Sequence, residues 1–124
     1  SIYNYLLMLV LFPILGGCLY VAVAGVGAGG ALWVEGSMKQ NFNHDAKTVH
    51  DAAIAMLKEK GLPILSDTVS GGNYTIESRV LGNDDVSIYV EPISRNATEV
   101  IIRVGVFGDE AKSRELMDGI ALNL

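Results

Sequence analysis

The sequence predicts an α+β protein. An N-terminal hydrophobic helix or signal-anchor precedes a β-α-β-β-β-β-α two-layer sandwich with a mainly antiparallel sheet. Three observations carry the prediction. The first charged residue is Glu35, so all 9 basic and all 14 acidic side chains lie in residues 35–124. Two segments of that part place apolar residues at helical spacing on one side only. The other segments alternate with the period of a strand and are joined by turns of hairpin length.

Residues 1–34 form one unit of the organisation, a hydrophobic signal, lipobox or transmembrane segment with a Gly-rich neck; residues 35–124 form the soluble domain. Val34 to Phe42 reads as a first strand. Asp45 then caps a helix, because its carboxylate accepts the free N–H groups of a first turn. Val49, Ala52, Ala53, Met56 and Leu57 fall on one face of that helix. Lys58 and Lys60 suit its C-terminal end, Gly61 suits the C-cap and Pro63 forbids continuation. Four strands follow: Ile64 to Val69, Tyr74 to Leu81, a run around Val86, Ile88 and Val90, and Val100 to Phe107. The turns between them are Ser70–Asn73, Gly82–Asp85 and Arg95–Thr98. Asp109 caps a last helix with Leu116, Met117, Ile120, Ala121 and Leu124 on its apolar side. Two one-sided helices must bury their stripes, so they cover one face of the sheet.

Three readings of Ile2 to Val34 stand side by side. In the first, the run is a signal peptide: Leu15-Gly16-Gly17-Cys18 has the aliphatic–small–small–cysteine order of a bacterial lipobox, and Cys18 takes the lipid. A signal peptide ordinarily opens with Lys or Arg, and none occurs here. In the second, the run is a retained transmembrane helix, since about 20 apolar residues cross a bilayer. Gly25 and Gly29 then have the G-x-x-x-G spacing that lets helices pack closely. In the third, the helix is buried in a protein assembly, a plan shared with type IV pilins, although their acidic residue near the helix start has no counterpart here. Gly25 to Gly30 also matches G-x-G-x-x-G. No amphipathic helix follows at the required place, so the run is read as a tether or packing face and not as a nucleotide site.

The formal charge of −5 argues against a nucleic-acid partner. The single cysteine excludes an intrachain disulfide. No catalytic or metal constellation stands out. His44 and His50 are six apart, off the spacing of a helical metal pair, and are expected to be solvated. Asp84-Asp85 and Asp109-Glu110 sit where turns and helix starts want acids. Asn73 and Asn96 head formal glycosylation sequons but read as turn residues. Ser66, Ser70 and Ser113 have no histidine at suggestive spacing. Arg103, between apolar neighbours, is expected to be a solvated charge or a cross-strand pair on the outer sheet face.

The Cys18 lipobox, the Gly-rich neck, the stretch WVEGSMKQNFN, the helix end LKEKGL and above all TEVIIRVGVFGDEAKSRELMDGI resemble a family of small bacterial envelope lipoproteins of unknown function. The resemblance covers most of Cys18 to Leu124 and is most specific over Arg103 to Ile120. It implies an exported, lipid-anchored bacterial protein and no activity. The expected function is therefore non-catalytic: an envelope-anchored structural or accessory subunit of an assembly, with membrane lipid or other chains as partners and no cofactor. The domain is expected in the periplasm or outside the cell. The rival expectation is a ligand-binding or enzyme-accessory lipoprotein whose sheet face holds a small molecule.

Overall fold

A computed structural model describes residues 30–80 and 82–124. The expected N-terminal helix, the lipobox Cys18 and the packing glycines Gly25 and Gly29 lie outside the described residues. The compact unit described here is Ala31–Leu124. Its elements are β1 (Leu32–Val34), β2 (Ser37–Phe42), α1 (Ala46–Glu59), β3 (Ile64–Ser70), β4 (Asn73–Arg79), β5 (Asp85–Ser94), β6 (Ala97–Val104) and α2 (Glu110–Leu122). The six strands form one sheet in the order β1-β2-β6-β5-β4-β3, antiparallel at every pairing. This is the expected α+β class with one more strand than the sequence suggests.

The extra strand comes from a break in the expected first one. Glu35 and Gly36 both have positive φ, 50° and 83°. Positive φ at both central residues makes a two-residue turn whose twist matches a hairpin. Val34 therefore pairs with Ser37 in a hairpin, instead of leading into a continuous strand. The last strand is also shorter than expected. Gly105, at φ 75°, ends β6 after Val104, and Val106 is exposed instead of sharing the buried face with Val100, Ile102 and Val104.

Both helices cover the same sheet face. α1 packs over β4, β5 and β6, and α2 packs over β2, β6 and α1. Met38, Ile76, Val86, Ile88, Val90, Val100, Ile102 and Val104 point into this layer and are buried. α1 contributes all five residues expected of it. Burying each large aliphatic side chain contributes about 1.5–3 kcal/mol. Asp45 accepts from the Thr48 N–H at the start of α1. At its end the Gly61 N–H donates to Lys58 O and the Leu62 N–H donates to Leu57 O, closing the helix in a Schellman motif.

α2 begins as expected, with the Lys112 N–H donating to the Asp109 carboxylate at 3.0 Å. Its inner face is Ser113, Leu116, Met117 and Ile120; Ala121, expected there, is exposed. Gly119 lets the helices approach closely, because an added Cβ would lie 2.6 Å from Met56 Cγ.

The opposite sheet face is uncovered within this unit. One row across all six strands reads Leu32, Lys39, Ile101, Tyr89, Thr75 and Thr68. Mixed apolar and polar residues are the usual composition of a half-solvated antiparallel face.

Candidate functional site

Three features of the unit hold more chemistry than packing requires. The first joins α1 to the edge strand β3. His50 lies on α1 beside the buried stripe, and its imidazole stacks on Tyr74 of β4 with centroids 4.4 Å apart. Its Nδ1 is 2.9 Å from Asp51 Oδ1, and its Nε2 is 2.9 Å from both Asp67 carboxylate oxygens. The histidine side chain is only 14% exposed, so the expected solvated histidine is instead a clasp. The reason is the sheet register: Asp67 pairs with Ile76, which turns its carboxylate toward the helix layer. His44 is exposed, as expected of a solvated residue.

Each imidazole nitrogen thus faces a carboxylate, and one bridges along the helix while the other reaches the edge strand. The bond to His50, followed by the bond from Lys47 at 3.0 Å, holds the Asp51 carboxyl below its ordinary range. Both His50 nitrogens are engaged by side chains within the unit. Among the described residues, no group of three His, Cys, Asp or Glu side chains is arranged to hold a metal ion.

The second feature is an open cavity of about 320 Å³ between the end of α1, the residue after β4 and the first turns of α2. Leu62, Val80 and Leu116 supply its apolar lining, while Lys60, Lys112 and Glu115 supply the polar part. Lys60 is paired with Glu115 at 3.2 Å, and Lys112 with Asp84 at 3.3 Å. Two ion pairs thus border an apolar floor, at the small end of the volumes of ligand sites. The cavity lies on the helix side of the sheet.

The third feature is the loop after β6. Val106 is 80% exposed and Phe107 92%. Arg103 holds this loop: its Nη2 donates to Val106 O, and its Nη1 donates to Glu35 O at 3.2 Å. The expected solvated or cross-strand arginine is a bridge between two backbones. Gly108, at φ 82°, sits where an added Cβ would run into the backbone of Gly36. Only the glycine pair permits that contact. Sequence reasoning named Arg103, but the turn at Glu35 that receives it was hidden inside the expected first strand.

The family described as Protein of unknown function (DUF3568) matches residues 2–123. The chain belongs to this family. No curated protein matches it. The DUF3568 match runs through both the charge-free segment and the folded unit, so the two belong to one family architecture. Among the described residues, no helix is long and apolar enough to cross a membrane.

Proposed function

We propose that this DUF3568 chain is a non-catalytic, envelope-anchored subunit or accessory protein. Its N-terminal apolar segment, or a lipid on Cys18, holds it at a bacterial membrane, and the folded domain faces the periplasm or the outside. One observation carries the reading: the chain places no charge before Glu35, while the unit Ala31–Leu124 has a core built from its own residues. A run of 34 uncharged, mostly apolar residues is long enough to cross a bilayer and has the composition that lipid or other chains cover. The helix-packing glycines Gly25 and Gly29 supply a close-approach face if those chains are protein.

Metabolic labelling with a radioactive fatty acid tests the anchor. The wild-type chain should take up label and sediment with membranes, and its intact mass should show Cys18 as the modified N-terminus. The Cys18→Ser variant should lose the label. Equal labelling of the two would remove the lipid from the proposal. Release of the unlabelled variant into the soluble fraction would show that Ile2–Val34 does not anchor alone.

The cavity beside Leu62, Val80 and Leu116 favours a second reading, a ligand-binding accessory lipoprotein. A concave apolar floor with a paired-charge rim suits a small amphiphile better than a flat docking surface does.

A further inference from the structure

We propose that Val106 and Phe107 form a rigid insertion tip that touches the lipid headgroup boundary and sets the orientation of the domain on its membrane. The inference rests on the membrane-anchored reading and adds a second contact to it.

Single exposed apolar residues are ordinary. These two differ in how they are held. The loop is bridged to the β1–β2 turn by the Arg103 fork and by the backbone contact of Gly108 with Gly36. Gly105 and Gly108 both adopt positive φ to shape it. The loop is thus fixed in a form that presents the two side chains to solvent and cannot fold them back onto the core. An aromatic and a branched aliphatic residue on a stiff loop suit the acyl–headgroup boundary, where apolar side chains gain by leaving water.

Three observations point to lipid as the occupant. The charge-free run of residues 1–34 leads directly through β1 into the turn that clasps this loop. β1 itself exposes Leu32 and Val34, 64% and 41%. The charges that flank the tip are partnered: Arg103 donates to two carbonyls, Asp109 accepts from the Lys112 N–H at 3.0 Å, and Glu110 lies 3.7 Å from Arg114. Paired charges cost less than free ones to bring near hydrocarbon. Glu35, exposed at the same turn, limits the depth, because its carboxylate must stay among headgroups. A second copy of the chain is a poorer fit. Two side chains fall well short of the ~800 Å² per partner that a stable protein interface buries, whereas a lipid surface needs no matching shape.

The test uses the full chain in phosphatidylcholine vesicles. A Phe107→Trp variant in a Trp33→Phe background places one indole at the tip. An Ile93→Trp variant in the same background places it at the far end of β5, an exposed site 57% accessible. Co-flotation with vesicles is read first, since it reports the anchor alone. In lipid brominated near the headgroup end of the acyl chains, the tip indole should shift to the blue and be quenched, and the Ile93→Trp indole should do neither. Bromine near the chain terminus should quench the tip less. Co-flotation with an unquenched, unshifted tip overturns the inference and leaves the anchor standing. A blue shift without quenching means that protein covers the tip, and also overturns it. Failure to float removes the anchored reading and the inference with it. Should Trp33→Phe unfold the domain, Phe107→Asp in the otherwise unchanged chain replaces the pair. It should leave co-flotation intact and increase protease cleavage of the vesicle-bound chain in the 105–108 loop, and unchanged cleavage overturns the inference.

Discussion

At one edge of the sheet the three-residue strand β1 is tied down through Arg103, which donates to the carbonyls of Glu35 and Val106. At the other edge the seven-residue strand β3 is tied to the helix layer through His50, which sits between Asp51 and Asp67. Both fastenings use a nitrogen-bearing side chain reaching from another element. They differ in what receives it. The guanidinium meets backbone carbonyls, which do not titrate, and works beside a glycine contact that only one backbone shape permits. The imidazole meets carboxylates, which do titrate. The β1 edge is therefore a steric and pH-indifferent junction, and the β3 edge is an electrostatic one. Every residue of β3 is exposed, so its fastening rests on β4 pairing, the Ser78 hydroxyl on Pro63 O at 2.6 Å and the His50 clasp.

The comparison breaks most sharply at Gly108. Replacing it with Val puts a branched side chain at φ 82° and drives Cβ into the Gly36 backbone. The expected cost is about 2–4 kcal/mol, from backbone strain and overpacking together. Urea unfolding should show the midpoint fall with little change in slope. An unchanged midpoint would mean that the loop moves away from the turn freely, and the β1 edge is not sterically locked.

A smaller loss is expected at Arg103. Arg103→Met keeps much of the aliphatic stem and removes both charge-assisted hydrogen bonds. A bond to a charged group contributes about 1.5–3 kcal/mol when buried; with Arg103 half-buried, the expected loss is about 1–2 kcal/mol. The loss should be local: amide hydrogen exchange should accelerate across residues 32–38 and stay unchanged in α1. Uniform acceleration throughout the domain would contradict a junction confined to this edge.

The helices were legible in the sequence because their signals are local. Asp45, Gly61 and Asp109 act within one turn of themselves, and the α1 stripe needs no tertiary knowledge. The β1–β2 hairpin was not legible. Glu35-Gly36 lacks the Asn-Gly or Asp-Gly signature, and glutamate rarely takes φ 50°. The end of β6 is hidden for a related reason: Val104-Gly105-Val106-Phe107 has β-forming composition, and the strand ends at the positive φ of Gly105. The His50 clasp lay further out of reach. Its partner Asp67 is 17 residues away, and nothing local tells which face of β3 carries the carboxylate. The bulge between Ile64 and Ser66 shifts the register before Asp67 is reached, so even a correct strand assignment left its side undecided. Arg103 stands out in the sequence as a charge among valines and isoleucines. Its role depended on a turn that the sequence did not reveal.

The smallest expected effect sharpens the electrostatic half of the comparison. The Asp51 carboxyl is held below its ordinary range by the His50 bond first and the Lys47 bond second. A carboxyl with a lower pKa folded than unfolded contributes stability that is fully present above the unfolded value and is lost as pH falls through the folded one. Asp51→Asn should therefore lower stability at neutral pH, and the gap to wild type should close in acid, below the unfolded carboxylate range. The side chain is 56% exposed, so solvent screening limits the difference to a few tenths of a kcal/mol. Thermal unfolding of the two chains across acidic and neutral pH measures it. Salt should shrink the gap at neutral pH, because Lys47 reaches Asp51 from an exposed position. The Arg103→Met deficit should respond less to either variable, since carbonyls keep their charge state. If the Asp51 gap ignores pH, or the Arg103 deficit follows it, the division between a titrating edge and a non-titrating one fails.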